Sequence, residues 1–424
     1  MGRAWAEVTD PSTTALATTN AVNGFSHLTL TAFRGFRDFT LEIEARSLVF
    51  TGPNGGGKTN LLEAISFLAP GSGLRSAALR EVDCRLPANS TTAARAWAVH
   101  ARYQGSRGEF KLGTGRDPKE ELGPKGESRE ESNGRDRRLC RIEGSNAKTQ
   151  AAFAEILSIL WLTPSMDRIF VERTSARRRF MDRLATGLHP EHPSRVSAYE
   201  QAMRDRARIL RGDGPAMDRV ERDRWLGGLE AEMAAQAVAI AASRLETAEA
   251  LNAAMAEAVG PFPRADLAID GAVEQSLADR SALQAEDLLR ERLAAARDSD
   301  AAAGVTQWGA HRSDLAVAFY GKTLGAAALD AASASTGEQK ALLISILLSQ
   351  ARLQRAKRGE APVLLLDEVA AHLDPERRKH LYAEVQALES QAWFTGTEAD
   401  LFRPLREAAQ FFTLRDARAL RDVA

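Results

Sequence analysis

The feature that most constrains the fold is a glycine-rich segment at residues 52–59, which reads GPNGGGKT. An apolar, partly β-branched run at 47–50 comes before it, and leucine and isoleucine recur on one helical face after residue 59. All eight positions match a phosphate-binding loop, in which backbone N–H groups and a helix N-terminus face an anion. A chance glycine turn would not need this strand–loop–helix context. The sequence therefore predicts an α/β fold that binds a nucleoside triphosphate.

The residues of this loop have distinct predicted roles. Glycines let the backbone turn its N–H groups toward the β-phosphate, while Lys58 reaches the β- and γ-phosphate oxygens and acts in catalysis. The Thr59 hydroxyl is a predicted ligand of Mg²⁺. The predicted nucleotide contacts in the loop are Gly52, Pro53, Asn54, Gly55, Gly56, Gly57, Lys58 and Thr59.

A second motif joins an apolar run at 363–366 to two carboxylates, Asp367 and Glu368. Many strands end in acidic residues, so this pattern is weak when it stands alone. In a chain with a phosphate loop it predicts that Asp367 binds Mg²⁺, directly or through water. Glu368, one residue further on, is then placed to polarise the attacking water.

The rest of the chain divides into four predicted parts. Residues 1–26 lack periodicity and are expected to be a mobile tail, and 27–165 and 302–424 are expected to form one ATPase domain. Between them, 166–301 read as an almost wholly helical arm. Within that arm, 226–259 would form one helix of 34 residues, about 51 Å long, with 281–297 packed antiparallel against it. We also expect a helix over 146–161 and a hairpin interrupted by a polar insert at 113–134.

Composition excludes several classes of protein. The 424 residues carry 56 basic and 57 acidic side chains, which excludes a uniformly basic nucleic-acid binder but not a local patch. Two cysteines, Cys84 and Cys140, do not suggest a disulfide framework. The longest apolar stretch, 342–348, is far shorter than a membrane span, and no secretory signal is visible. We therefore expect a soluble, cytoplasmic protein with no membrane partner.

A third motif, STGEQK at 335–340, opens the predicted helix before the second carboxylate motif. Here the sequence resembles ABC-type ATPases, although Thr336 replaces the first glycine of their signature turn. The resemblance implies that Ser335 and Gly337 act in catalysis by donating to the γ-phosphate held by a second protomer, and that ATP therefore drives formation of a homodimer. A simple helix cap made by Ser335 or Thr336, with Glu338 nearby, is the alternative.

Two further stretches bear on that resemblance. Residues 373–374 look like the loop that communicates across such dimers. The usual switch histidine is missing, because FTGT at 394–397 occupies its place. Thr397 is the nearest substitute for that histidine.

More specifically, the sequence resembles the RecF family, the SMC-related ATPases of bacterial DNA replication and repair. The resemblance covers about 27–424, with Glu368 standing where aspartate is common in the family. It implies a discontinuous ABC-type head with an inserted helical arm, and it adds Arg34 and Asn60 to the nucleotide contacts. The stretches that carry it lie at 33–36, 60–65, 161–164, 175–180, 309–315, 336–340 and 394–397.

The resemblance also implies partners and an activity. ATP-driven dimers would bind double-stranded and gapped DNA, and slow, DNA-stimulated hydrolysis would release them. With RecR and RecO, such a protein would assist the loading of RecA in recombinational repair and replication restart.

The sequence offers some support of its own for DNA binding. Residues 168–224 hold 14 arginines against 9 acidic residues, and Arg177, Arg178 and Arg179 are the densest run. Phosphate contacts need such charge, although a solvated helix face is the alternative reading. His311 and Arg312 could serve catalysis or only a turn.

Three competing functions remain on the sequence alone. A transporter nucleotide-binding subunit would place the signature much closer to the phosphate loop, whereas most of the chain separates Lys58 from Ser335 here. An SMC-type clamp would carry arms of many heptads, and 166–301 are too short for that. A switch that binds ATP without useful turnover is disfavoured only by Glu368.

Overall fold

The computed structural model describes residues 23–44, 47–84, 96–117, 137–213, 217–320, 328–415 and 417–422. The described strands are β1 (Gly24–Phe33), β2 (Phe36–Glu42), β3 (Ser47–Thr51), β4 (Ala98–Gly105), β5 (Gly108–Arg116), β6 (Arg138–Ile142), β7 (Ser145–Asn146), β8 (Ile159–Leu162), β9 (Ala265–Asp270), β10 (Asp314–Phe319), β11 (Leu329–Asp330), β12 (Val363–Leu366), β13 (Ala392–Gly396), β14 (Ala409–Arg415) and β15 (Arg418–Arg421). The helices are α1 (Lys58–Ser66), α2 (Ala152–Ile156), α3 (Thr174–Leu188), α4 (His192–Leu210), α5 (Arg219–Ala256), α6 (Ala272–Asp279), α7 (Ala282–Ala295), α8 (Arg297–Ala303), α9 (Thr336–Arg358) and α10 (Pro375–Ala387).

The central sheet has the order β15-β14-β3-β13-β12-β8, and its strands are parallel except for β15. Segments from both sides of the arm build it, because β3 and β8 precede the arm and the other strands follow it. The phosphate loop follows β3 and the acidic motif follows β12, with β13 between these two strands. Both motifs therefore lie at the carboxyl edge of the sheet, where α/β proteins bind ligands.

The central sheet is buried on both faces, which explains its near-continuous apolar strands. Leu48 and Phe50 of β3 point into a core shared with α1 and with the antiparallel sheet β2-β1-β4-β5-β6-β7. Val49 points into the opposite core, which includes α9 and α3. The Phe50 ring stacks on Trp393 and Phe412 at centroid distances of 5.6 and 5.1 Å. These aromatic contacts hold the strands that flank the phosphate loop.

The arm consists of helices α3 to α8 packed around α5, which has 38 residues and is about 57 Å long. Its interior contains a buried ion network in which Arg206 binds Glu230 at 3.0 Å and Asp300 at 2.6 Å. The arm also contributes one strand, since β9 pairs with β10 over its full length. Asn252 of α5 fixes β9 by two hydrogen bonds with the Leu267 backbone.

Several predicted elements are confirmed: the strand before the phosphate loop, the strand before Asp367, the long arm helix and its partner α7. Strands β5 and β6 pair antiparallel as the predicted hairpin, and most of the polar insert, 118–134, lies outside the described residues. None of the helices among the described residues is long and apolar enough to cross a membrane.

Three details of the prediction are wrong. One segment of the almost wholly helical arm was not predicted as a strand: residues 265–270 form β9, which pairs with β10 after the arm. The helix predicted over 146–161 is much shorter, because only α2 (Ala152–Ile156) is helical there. Residues 159–162 instead form β8, which pairs with β12 at the edge of the central sheet. Residues 24–26, assigned to the tail, belong to β1, and 1–22 lie outside the described residues.

Candidate active site

The phosphate loop is held tightly against strand β14. Gly52 has φ 142°, and a Cβ there would lie 2.3 Å from the Leu414 carbonyl oxygen. Gly57, the N-cap of α1, has φ 99° and lies under the Phe36 ring. Only glycine combines this backbone conformation with so close an approach. The loop thus forms a backbone cradle at the N-terminus of α1, as the sequence predicts.

The Lys58 side chain folds over this cradle. Its Nζ donates to the carbonyl oxygens of Gly52 at 2.7 Å and Pro53 at 3.0 Å, and the residue is only 5% exposed. The ammonium charge therefore lies within the loop itself, close to the N–H groups that would face a phosphate.

The acidic motif meets the phosphate loop through Asp367. The Thr59 hydroxyl donates to Asp367 Oδ1 at 3.1 Å, and the Thr395 hydroxyl donates to the same oxygen at 2.6 Å. Asp367 is buried, and Thr395 has no exposed surface. A hydroxyl and a carboxylate at this distance are the hard oxygen ligands that Mg²⁺ prefers when phosphates complete its coordination. Thr59 and Asp367 therefore fit the predicted metal site.

Glu368 follows in an unusual backbone conformation. Its φ of 51° is left-handed, which is uncommon for a residue other than glycine. The N–H of Glu368 donates to Thr395 Oγ1 at 3.0 Å, and its carbonyl oxygen accepts from Lys340 Nζ at 3.3 Å. Glu368 directly follows Asp367 in the chain, and the residue is partly exposed at the carboxyl edge of the sheet. The backbone is therefore held from both sides while the side chain stays accessible.

The signature turn at 335–340 is the N-terminus of α9. Ser335 is its N-cap: the N–H of Glu338 donates to Ser335 Oγ at 3.4 Å, and the N–H of Ser335 donates to Glu338 Oε2 at 2.9 Å. The Ser335 hydroxyl also donates to that carboxylate at 2.7 Å, which lowers the pKa of Glu338. Ser335 and Gly337 are exposed. The helix-cap alternative is thus correct as far as it goes, and the turn remains accessible to a second molecule.

Arg34 and Asn60 lie in a polar network around Glu63 of α1. Arg34 makes a two-point ion pair with the buried Glu63, at 3.0 and 2.7 Å, and Arg75 binds the same carboxylate at 2.9 Å. Arg75 also donates to Asn60 Oδ1 at 2.8 Å. Their predicted nucleotide contacts stay predictions, because these side chains bind protein groups in the structure.

The three arginines predicted to bind DNA have different surroundings. Arg177 makes a two-point ion pair with Asp314 of β10, at 2.8 and 2.5 Å, and Arg178 donates to the Ser313 carbonyl at 2.9 Å. These two therefore join α3 to β10. Arg179 is exposed and lines a cleft of about 1360 Å³ between the arm and the N-terminal part of the head.

His311 has a structural role. Tyr199 donates to its Nδ1 at 2.6 Å, and its Nε2 donates to the Thr306 carbonyl at 2.9 Å, which fixes the neutral tautomer. Burial lowers the pKa of His311. Its two nitrogens thus bind Tyr199 of α4 and the Thr306 backbone, while Arg312 is exposed beside it.

Two residues of this site were missed by the sequence analysis. The sequence pointed to Thr397, which is exposed beyond β13, whereas Thr395 inside the strand contacts both carboxylate residues. Lys340 was treated only as part of the signature. A polar residue in the otherwise apolar strand at 392–396 was the available signal for Thr395.

Comparisons with known proteins agree with this architecture. The chain matches the family described as the RecF/RecN/SMC N terminal domain over residues 25–417. It is 42% identical over 392 residues to the DNA replication and repair protein RecF of Mesorhizobium japonicum, covering 92% of this chain and 95% of that one. It is 43% identical over 388 residues to RecF of a Caulobacter species, covering 90% of this chain and 94% of that one.

A solved structure of the recombination mediator protein RecF-ATP in the RecFOR pathway superposes with a TM-score of 0.74 at 19% identity, covering 95% of this chain and 98% of the other. The fold is therefore that of an ABC-type ATPase head, built from both ends of the chain, with the helical arm inserted between them. By family match and by sequence identity alike, this chain is a member of the RecF family.

Proposed function

We propose that this chain is an ATP-dependent DNA-binding protein of recombinational repair and replication restart, acting in the cytoplasm. The observation that carries the proposal is the chain of contacts from Thr59 through Asp367 to Thr395 and Glu368. It joins the phosphate loop to the backbone of Glu368, the candidate catalytic residue. The curated relatives named DNA replication and repair protein RecF support the cellular role, and the RecF-ATP structure supports ATP as the nucleotide.

The binding step uses the loop and the residues that face it. The backbone N–H groups of residues 54–58, at the N-terminus of α1, would donate to the β-phosphate, and Lys58 would exchange its two carbonyl partners for phosphate oxygens. Thr59 and Asp367 would hold Mg²⁺, with Gly52, Pro53, Asn54, Gly55, Gly56 and Gly57 as the backbone cradle and Asn60 and Arg34 nearby. The metal would neutralise charge on the phosphate oxygens when bound.

The hydrolytic step is assigned to Glu368. Glu368 directly follows Asp367, the proposed metal ligand, and the residue is partly exposed, so its carboxylate can orient a water and accept its proton. The two hydrogen bonds from Lys340 and to Thr395 fix the backbone that carries this side chain. We expect slow turnover that DNA stimulates.

The dimer would be completed by the signature turn. Ser335 and Gly337 are exposed at the N-terminus of α9, where a helix dipole favours an anion. In an ABC-type arrangement they would meet the γ-phosphate bound by a second copy of this chain. ATP would thus be buried between two protomers, and binding would drive dimerisation.

For DNA we propose double-stranded and gapped substrates, with RecR and RecO as partners and RecA acting downstream. The solved RecF structures in the RecFOR pathway support this assignment. Of the three arginines considered, Arg179 is the one whose charge remains exposed, whereas Arg177 is engaged by Asp314. Arg178 would contribute to DNA binding only indirectly, because its hydrogen bond to the Ser313 carbonyl stabilises the junction of α3 with β10.

The test is Glu368→Gln, with Glu291→Gln on the exposed face of α7 as a matched control. Glutamine keeps the size of the side chain but cannot accept a proton, and general-base catalysis is worth roughly 10²–10⁴-fold. The variant should bind ATP, remain dimeric with ATP on size-exclusion chromatography, and leave DNA more slowly. The control should behave like wild type.

Two outcomes would contradict the proposal. Hydrolysis by the Glu368→Gln variant at the wild-type rate would remove the carboxylate from catalysis. A wild-type protein that binds ATP but shows no turnover with DNA would instead favour the ATP-binding switch.

A further inference from the structure

Lys340 is a buried lysine that the proposed mechanism has not used. Its side chain is 5% exposed, which is rare for lysine because the ammonium loses its hydration. It lies in the second turn of α9, five residues after the N-cap Ser335. Burial lowers the pKa of Lys340 and raises that of its neighbour Asp167. A solvent-exposed lysine would stabilise α9 as well as a buried one. The burial of Lys340 therefore needs another reason.

The partners of Lys340 indicate that reason. Its Nζ donates to the carbonyl oxygen of Glu368 at 3.3 Å and lies 3.8 Å from the Asp167 carboxylate. Asp167 belongs to the 3₁₀ helix Pro164–Val171, which leads from β8 into the arm. The ammonium thus stands where the signature helix, the base of the arm and the candidate catalytic residue meet.

The Glu368 peptide depends on being held. Its left-handed conformation, with φ 51° and ψ 25°, costs of order 1–2 kcal/mol for a residue with a Cβ. One hydrogen bond from its N–H to Thr395 and one from Lys340 to its carbonyl oppose that strain. The same carbonyl oxygen also accepts from the N–H of Ala371 at 3.4 Å, so without the shorter bond from Lys340 it would be held only by this weak contact, and Glu368 with its carboxylate would shift.

The Lys340 bond is also sensitive to position. At 3.3 Å it is slightly longer than the usual 2.7–3.2 Å for an N–H to oxygen bond. A shift of the first turns of α9 by a few tenths of an ångström would therefore strengthen or break it. The first turn is the part of α9 that would contact the partner's nucleotide in the proposed dimer.

We propose that Lys340 is a positioning residue that couples the two ATP sites of the dimer. Contact of Ser335 with the partner's γ-phosphate would set the position of α9. A shift of α9 would move Lys340, and through its hydrogen bond Lys340 would move the Glu368 backbone of its own protomer. The inference rests on the proposed function, because it needs Glu368 as the catalytic carboxylate and Ser335 at a dimer interface.

The main experiment compares Lys340→Met with wild type and with Arg352→Met. Methionine fills a similar volume without a charge, and Asp167, the ion partner that it leaves behind, keeps 18% of its side chain exposed to water. Arg352 lies on the same helix and binds Glu384 at 2.6 Å, so its variant removes an ion pair away from Glu368. ATP affinity, ATP-dependent dimerisation, single-turnover hydrolysis and the Hill coefficient for ATP are measured for each.

We expect Lys340→Met to bind ATP and dimerise within about threefold of wild type. Its single-turnover rate should fall roughly 10–100-fold, the size typical of losing a residue that orients a catalytic group. Its Hill coefficient should fall to one, and Arg352→Met should match wild type in all four measurements. Lys340→Gln gives the same comparison if the methionine variant does not fold.

A double-mutant cycle separates positioning from a general structural effect. Lys340→Met should cause no further loss in a Glu368→Gln background, since it acts through that carboxylate. A loss that persists in this background, or one that follows ATP affinity, would overturn the inference. So would a Lys340→Met variant that hydrolyses ATP cooperatively at the wild-type rate.

The same measurements distinguish failure of the proposed function. If Glu368→Gln alone hydrolyses ATP like wild type, the assignment of the catalytic carboxylate fails. If Glu368→Gln is slow and Lys340→Met is not, only the role of Lys340 fails.

Discussion

Thr395→Val tests the junction between the metal site and the catalytic carboxylate. Valine has nearly the shape of threonine, so the fully buried site keeps its packing and loses only the hydroxyl. That hydroxyl donates to Asp367 Oδ1 at 2.6 Å and accepts from the N–H of Glu368 at 3.0 Å. The substitution therefore removes one hydrogen bond to a carboxylate and leaves one backbone N–H unpaired.

The expected decrease in the free energy of unfolding follows from these two lost interactions. A hydrogen bond to a charged group is worth about 1.5–3 kcal/mol, and a buried unpaired N–H costs about 1–3 kcal/mol. Because nearby groups can relax, we expect the free energy of unfolding to fall by about 3 kcal/mol. Thr395→Ser keeps both hydrogen bonds and loses one methyl group, which costs about 1 kcal/mol.

Equilibrium unfolding in urea at neutral pH, without nucleotide, measures both variants. A second measurement is the Mg²⁺ concentration needed for ATP binding, which should rise roughly 10–100-fold for valine because Asp367 loses the partner that orients it. Serine should leave that concentration unchanged. Equal stability of the valine and serine variants would refute the reasoning, since the hydroxyl would then contribute nothing.

Three further predictions concern nucleotide, dimer and DNA. Lys58→Ala should abolish ATP binding by calorimetry, because the cation in the phosphate loop is lost; normal affinity would be evidence against this loop as the site. Ser335→Arg should bind ATP yet stay monomeric on size-exclusion chromatography, and an ATP-dependent dimer would contradict the signature assignment. Arg179→Glu should weaken DNA binding and lower its log–log salt slope by about 0.9 per lost contact, whereas Arg177→Glu should mainly destabilise the fold through repulsion from Asp314.

The parts of the site that the sequence predicts are those encoded by neighbouring residues. The phosphate loop depends on a local strand, glycines and helix, and the acidic motif depends on one apolar run. The sequence likewise predicted a helix cap at Ser335 or Thr336, and the structure assigns the N-cap to Ser335.

What was missed depends on contacts between distant residues. Thr395 meets Asp367 only because β13 lies between β3 and β12 in the sheet, an order that no local pattern encodes. Strand β9 has apolar residues at every second position, but helices come before and after it in the sequence. Its partner β10 lies beyond the arm, so no neighbouring pattern indicates the pairing. Arg177 looked like part of a basic surface until Asp314, far along the chain, proved to be its partner.

The pairing of β9 with β10 limits how such an arm can change during evolution. Deleting 166–301 would remove β9 and expose one edge of β10, whose Leu315, Val317 and Phe319 are buried. An apolar strand edge of this kind invites association with other chains. We therefore expect insertions and deletions in the connection between α4 and α5, because changes of length there do not affect β9. Related proteins should differ in arm length at this connection while keeping strand β9.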